Sequence, residues 1–255
     1  MLPAQRQEAI LARVRAQGAA SAEELSASLG VSVETIRRDL RGLRDQGLLN
    51  RVHGGATRPS HRSGEGSFAA RSTLNLARKQ AIAALAASLV EDRETIVIDT
   101  GTTALQLARA LPASFRGRVL TNSVLVAAEL SDRSDIELLL CGGQIRPGDG
   151  ACSGAHAEAF FADFYASKAF LGAGGVHPEA GLTDYYPAEA AIRRTITAHS
   201  AAAYVLADSS KLGVIAVHRV CALDQLTAVI TDDEENPDAS ATLAAAGVTL
   251  LHAAG

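Results

Sequence analysis

The first sixty residues alternate between short apolar stripes and breaks. Ile10, Leu11 and Val14 mark one side of a helix predicted from about Ala4 to Ala16, and Gly18 ends it. Ser21 then opens a second helix with Glu24 three residues on. That spacing is a capping box, in which hydroxyl and carboxylate satisfy the free amides of the first turn. Leu25 and Leu29 supply its buried side, and Gly30 follows where a left-handed residue is easiest to accommodate. Ser32 caps a third helix, VETIRRDLRGLRDQG. At about 100° per residue, Ile36, Leu40 and Leu43 share one face. Glu34, Arg38, Arg41 and Asp45 lie opposite, flanked by Thr35 and Arg37. Next, LLNRVHGGA reads as two short strands around a turn in which Gly54 and Gly55 permit positive φ.

A short helix, a Gly-containing turn and a second helix with an Arg-rich outer face make a helix-turn-helix, and the strand pair makes it winged. Such a helix enters the major groove by its N-terminal turn. The expected DNA-facing set is Ser32, Thr35, Arg37, Arg38, Arg41 and Arg44, with Arg51 and His53 from the wing. Thr35 and Arg38 are placed for base edges, where Arg can bond guanine with two donors. Arg37, Arg41 and Arg44 are placed for phosphates. Arg51 and His53 would follow the backbone or the minor groove.

Beyond residue 57 the pattern changes. Arg58 to Ser67, RPSHRSGEGS, is polar and rich in Ser and Gly, so residues 58–71 read as a linker between a head, 1–57, and a body, 72–255. A helix is predicted from about Thr73 to Leu89. Unbroken apolar runs such as ETIVID, RVLTN, IELLLCGG, KAFLGAGG, AAYVLAD and LTAVITD then alternate with helices near 102–111, 124–130, 155–164, 187–199 and 238–246. Runs of that kind are strands buried on both faces, so the body is an α/β domain with a mostly parallel sheet.

In open parallel sheets ligands bind at the carboxyl ends of the strands. That rule selects Asp99, Gly101, Thr102 and Thr103 after the first strand, Thr121, Asn122 and Ser123 after the second, Gly142 and Gly143 after the third, and Lys211 after a later one. A helix start at Thr102 offers amides and a dipole to an anion. Each loop also has a purely structural reading, as a helix cap or a turn.

Composition narrows the class. Of 255 residues 47% are hydrophobic, but aromatic residues are 4% and Trp is absent, so the cores must be aliphatic. The longest apolar run, Ala81 to Val90, is half the roughly 20 residues a membrane span needs. With no signal-peptide pattern at the start, a cytoplasmic protein is expected. Cys141, Cys152 and Cys221 match no zinc or redox spacing, and no metal or cofactor motif is present. The absence of a phosphate-binding G-x-x-x-x-G-K loop argues against nucleotide hydrolysis. Charge is divided: residues 1–62 carry ten arginines against six carboxylates, a net +4, and the rest carries a net −8. A basic head on an acidic body suits a head that meets phosphates.

The run TIRRDLRGLRDQGLLNRVHGGA resembles the signature of the DeoR/GlpR family of regulators. The stretches DTGTT, TNS, CGG, GLTDYYPAE, ADSSK and VITD stand in the order of that family's sensor domains, so the resemblance covers nearly the whole chain. It implies a body similar to ribose-5-phosphate isomerase and a phosphosugar effector that releases a homodimeric or homotetrameric repressor from double-stranded DNA. By that resemblance Gly101, Thr102 and Thr103 hold phosphate, Lys211 lies near sugar or phosphate, and Asp99, Asn122 and Glu189 meet hydroxyls. Two other readings stay open: an isomerase carrying a DNA-binding head, and a DNA-binding protein without an effector. Against the first, the stretch comparable to the acidic G-A-D-E loop of such isomerases is Gly172-Ala173-Gly174-Gly175, which has no carboxylate.

Overall fold

A computed structural model describes residues 3–45, 49–52, 54–57, 65–232 and 237–254. The chain divides into two compact units, Met1–Arg71 and Ser72–Gly255. In the first, α1 (Pro3–Gln17) leads through β1 (Ala19–Ser21) into α2 (Ala22–Leu29) and α3 (Val33–Asp45). The strands β2 (Asn50–Val52) and β3 (Gly55–Thr57) follow. The capping box at Ser21 and Glu24 forms, and Gly30 closes α2 at φ 65°. Ile10, Val14, Leu25, Ile36, Leu40, Leu43 and Leu49 bury together as one core. The sequence shows an apolar stripe on α3 but hides a buried charge beside it. Asp39 accepts from Arg6 Nε at 2.6 Å and Nη2 at 3.3 Å, a fork-to-carboxylate clamp from α1 onto α3.

The wing is a three-stranded antiparallel sheet in the order β1-β3-β2, with β1 added to the two expected strands. Gly54 takes φ 84° as expected, but Gly55 does not have positive φ. Its need for glycine is steric instead: a Cβ there would lie 2.3 Å from the carbonyl oxygen of Ala20 on β1. Gly55→Ala is therefore expected to lower the melting temperature of the head by forcing β1 and β3 apart. Thermal unfolding followed by circular dichroism measures it, and an unshifted melt would show that the pairing yields at no cost.

The helix predicted from Thr73 to Leu89 forms as α5 (Leu76–Ser88), and a shorter helix, α4 (Phe68–Thr73), precedes it across the end of the expected linker. Asn75 between them has φ 54°, a left-handed residue that no helix can pass through unbroken. There follow β4 (Thr95–Ile98), α6 (Thr102–Ala110), β5 (Arg118–Thr121), α7 (Val124–Leu130) and β6 (Glu137–Leu140). A small hairpin, β7 (Gln144–Ile145) and β8 (Cys152–Ser153), precedes α8 (Ala155–Ala162) and β9 (Ala166–Leu171). Next come β10 (Gly175–His177), β11 (Gly181–Asp184) and α9 (Pro187–Ala198). The chain ends with β12 (Ser200–Leu206), β13 (His218–Cys221), β14 (Ala228–Asp232), α10 (Pro237–Ala245) and β15 (Leu250–Ala253).

Seven strands form one parallel sheet in the order β15-β14-β12-β9-β4-β5-β6. Alternate residues feed two aliphatic cores. Ile96 and Ile98 join Ile82, Leu107 and Val126 on one face, while Val97 joins Phe161, Ile192 and Ile196 on the other. That two-sided burial is why these strands read as continuous apolar runs. A separate antiparallel sheet, β10-β11-β13, was not expected from the pattern. The three cysteines are free and buried, and burial pushes the Cys141 thiol up to about 12. Among the described residues no helix is long and apolar enough to cross a membrane.

The sheet order reverses direction at one place. From β4 the chain moves outward through β5 and β6, then returns to the other side of β4 as β9 and moves outward again. The carboxyl ends of β4 and β9 therefore flank the topological switch point, the place where sheets of this kind bind their ligands.

Candidate functional site

Two sets of residues carry the candidate chemistry, one in each unit. On α3 the buried Ile36, Leu40 and Leu43 leave Arg37, Arg38, Arg41 and Arg44 exposed. Glu34 sits between two of them, 3.9 Å from Arg37 and 3.1 Å from Arg41. Arg38 makes no ion pair among the described residues. Ser32 acts as the helix cap: its Oγ accepts from Thr35 N at 3.2 Å and lies 2.8 Å from Thr35 Oγ1. The Thr35 hydroxyl is thus engaged within the turn by one hydrogen bond and keeps a lone pair for another. Arg51 belongs to β2, but its side chain and all of His53 lie outside the described residues.

At the switch point of the α/β unit the sequence-selected residues meet two arginines that the pattern did not reveal. Asp99, one residue past β4 and fully buried, accepts from Gly172 N at 2.9 Å and from Arg193 Nε at 2.5 Å. Arg193 on α9 also donates to Asp184 and, at 3.1 Å, to Glu189. Burial opposes its charge, but Asp99, Asp184 and Glu189 more than compensate and hold its pKa well above the ordinary value. Glu189 is ion-paired with Arg146 as well, and Arg146 pairs with Asp149 in its own loop. Burial pushes the Glu189 carboxyl up to about 7, the two arginines pulling it down and Asp184 and Asp99 raising it further. One signal could have exposed Arg193: it shares a helical face with Glu189, Ile192 and Ile196 at spacings of three and four. A charge on such a face has to find a buried partner.

The remaining rim residues divide by what holds them. Thr121 Oγ1 accepts from Ser123 N at 3.0 Å, and Ser123 Oγ caps α7 by accepting from Val126 N at 3.2 Å. Asn122 between them is fully buried, yet neither its Nδ2 nor its Oδ1 has a hydrogen-bond partner among the described residues. The same holds for Asp99 Oδ1 and Thr100 Oγ1. Strand register pairs Ile98 with Thr121, so Asp99 and Asn122 lie side by side one residue further on. Gly101 begins α6 with no side-chain cap, and Thr102 and Thr103 are buried in its first turn. Lys211 ends a one-turn 3₁₀ helix, its Nζ 6.0 Å from the ring centroid of Tyr185 beside Asp184. Gly142 and Gly143 stand apart. Gly142 is exposed, and Gly143 is required by the hairpin, since a Cβ would lie 2.4 Å from Ser153 O.

Comparison with known proteins follows the same division. Residues 6–62 match the family model described as a DeoR-like helix-turn-helix domain, and residues 74–233 match the DeoR C terminal sensor domain. The chain is 35% identical over 251 residues to the HTH-type transcriptional regulator GlpR of Haloferax volcanii, covering 98% of each chain. It is 33% identical over 232 residues to the glycerol-3-phosphate regulon repressor of Escherichia coli strain K12, covering 91% of this chain and 92% of that one. Among solved structures, ribose 5-phosphate isomerase A from Methanocaldococcus jannaschii aligns over 54% of both chains with 19% identity and a TM-score of 0.40.

Proposed function

Because the chain belongs to the DeoR family of DNA-binding transcriptional regulators, we propose that it is a repressor released from its operator by a phosphorylated sugar bound at the switch point of its α/β unit. One observation carries this reading. Four polar side-chain atoms, Asp99 Oδ1, Thr100 Oγ1 and both amide atoms of Asn122, are buried at neighbouring strand ends without hydrogen-bond partners among the described residues. Buried polar atoms left unmade cost about 1–3 kcal/mol each, so such a cluster calls for a ligand or ordered water that completes it. An ionised carboxylate oxygen needs a donor, an amide needs one of each, and adjacent sugar hydroxyls supply both kinds. The uncapped start of α6 at Gly101, Thr102 and Thr103 offers backbone amides to an anion, and Lys211 offers a cation near the same rim.

On this reading the two heads of an oligomer read half-sites, and the effector binds the released arrangement more tightly than the DNA-bound one. The test is a thermal-shift screen of phosphorylated C3 to C6 sugars beside their unphosphorylated forms. A sugar at about a hundred times its Kd stabilises the folded protein by about 2.7 kcal/mol. Asn122→Ala is expected to abolish that rise and leave operator affinity intact. No rise with any phosphosugar would overturn the effector assignment.

A further inference from the structure

The hairpin of β7 and β8 lies along the carboxyl end of β5. Cys152 N donates to Asn122 O at 2.7 Å, Val124 N donates to Gly150 O at 3.0 Å, and Ser123 and Ala151 form an isolated bridge. From this hairpin Arg146 reaches an element on the other side of β4. Its Nε donates to both oxygens of Asp149 at 3.0 Å within its own loop. Its Nη2 pairs with Glu189 in the first turn of α9. Its guanidinium carbon also stands 3.8 Å from the ring centroid of Tyr186, the residue just before α9. One side chain thus ties the β5 side of the switch point to α9. The strand-end residues Asp99 and Asn122 are both fully buried.

The charges around it are unequal. Two guanidiniums, Arg146 and Arg193, face four carboxylates, Asp99, Asp149, Asp184 and Glu189. Arg193 is locked at 3% exposure, whereas the Arg146 side chain is 25% exposed. Arg146 is therefore the cation of the cluster that an incoming anion can reach, and its planar fork fits a phosphate with two parallel hydrogen bonds. We infer that Arg146 is a specificity-determining latch: it holds the hairpin to α9 through Glu189 in the ligand-free protein, and an effector's phosphate takes the guanidinium from Glu189 and frees the hairpin. The inference deepens the phosphosugar reading and rests on it for the nature of the ligand.

Hydrogen exchange on the full-length protein tests it, with inorganic phosphate as the probe. Without ligand, Arg146→Ala is expected to speed exchange of the Val124 and Cys152 amides by about tenfold or more, because each is bonded across the seam between the released hairpin and the end of β5. In the wild type, millimolar phosphate moves the same amides toward the variant's rate, and in Arg146→Ala it has no such effect. Should the alanine variant fail to fold, Arg146→Lys, which keeps the charge and loses the fork, is expected to show the same changes at reduced size. Unchanged exchange in the ligand-free variants overturns the latch whatever the protein binds. An equal phosphate response in wild type and variant overturns the role of Arg146 as the anion's partner. If the latch opens as expected and responds to phosphate, yet no phosphosugar raises the melting temperature, the latch stands and the effector class falls.

Discussion

Arg193→Met is expected to destabilise the α/β unit by about 3–5 kcal/mol, the cost of removing one partner from a buried ion cluster. Methionine keeps most of the volume and removes the charge, so lost packing contributes little. What remains is three carboxylates, Asp99, Asp184 and Glu189, each at most 4% exposed and now without the guanidinium that all three share. Arg146 reaches only Glu189 among them. Against a typical total stability of about 5–15 kcal/mol, the loss is a large fraction of what holds a domain together.

The loss should also depend on pH in a definite direction. Burial already pushes the Glu189 carboxyl up to about 7 with Arg193 present, and removing that guanidinium raises it further. A folded-state pKa above the unfolded one means that the native state holds the extra proton. The associated stability is fully present below the unfolded value and disappears as pH rises through the folded one. Urea denaturation at about pH 5 and about pH 8 should therefore show a smaller gap between wild type and variant at the acid end. A loss below about 1 kcal/mol, typical of an exposed pair, or a gap independent of pH, would show that the cluster relaxes by admitting water.

What the chain declares locally and what it hides follow from the range of each interaction. The capping box of Ser21 and Glu24, the left-handed Gly30 and the stripe of Ile36, Leu40 and Leu43 each lie within eight residues, and pattern reveals them. The parallel strands are legible because burial on both faces leaves an unbroken apolar run. The strand β1 is three residues without a period, and it exists only because β3 returns to pair with it. Asn75 is one left-handed residue in a stretch whose composition favours helix throughout. Within the site, Asp99 and Asn122 were found because strand ends in such sheets are predictable places. Arg193 meets Asp99 across 94 residues, and Arg146 meets Glu189 across the switch point. No short-range period encodes such pairings; only the unusual charge on the apolar face of α9 hints at the first.

On the DNA side, Arg38→Ala is expected to cost about 1–3 kcal/mol in discrimination between operator and unrelated duplex, the value of a bidentate base contact. The geometry of α3 separates Arg38 from its neighbours. Arg37 and Arg41 are each tied to Glu34, so a phosphate that engages them must first displace a carboxylate. Such exposed pairs hold by no more than about 1 kcal/mol, which makes Glu34 a weak gate. Arg38 has no such pair among the described residues and is exposed. Arg41→Ala should instead weaken binding to all sequences alike and reduce the slope of log affinity against log salt by about 1. Fluorescence anisotropy on both duplexes across a salt series separates the two behaviours. If Arg38→Ala lost affinity equally on operator and unrelated DNA, with a flatter salt slope, Arg38 would be a backbone contact. Sequence reading would then pass to Thr35, whose hydroxyl can accept a further hydrogen bond beside the one to Ser32 and whose methyl can touch a thymine.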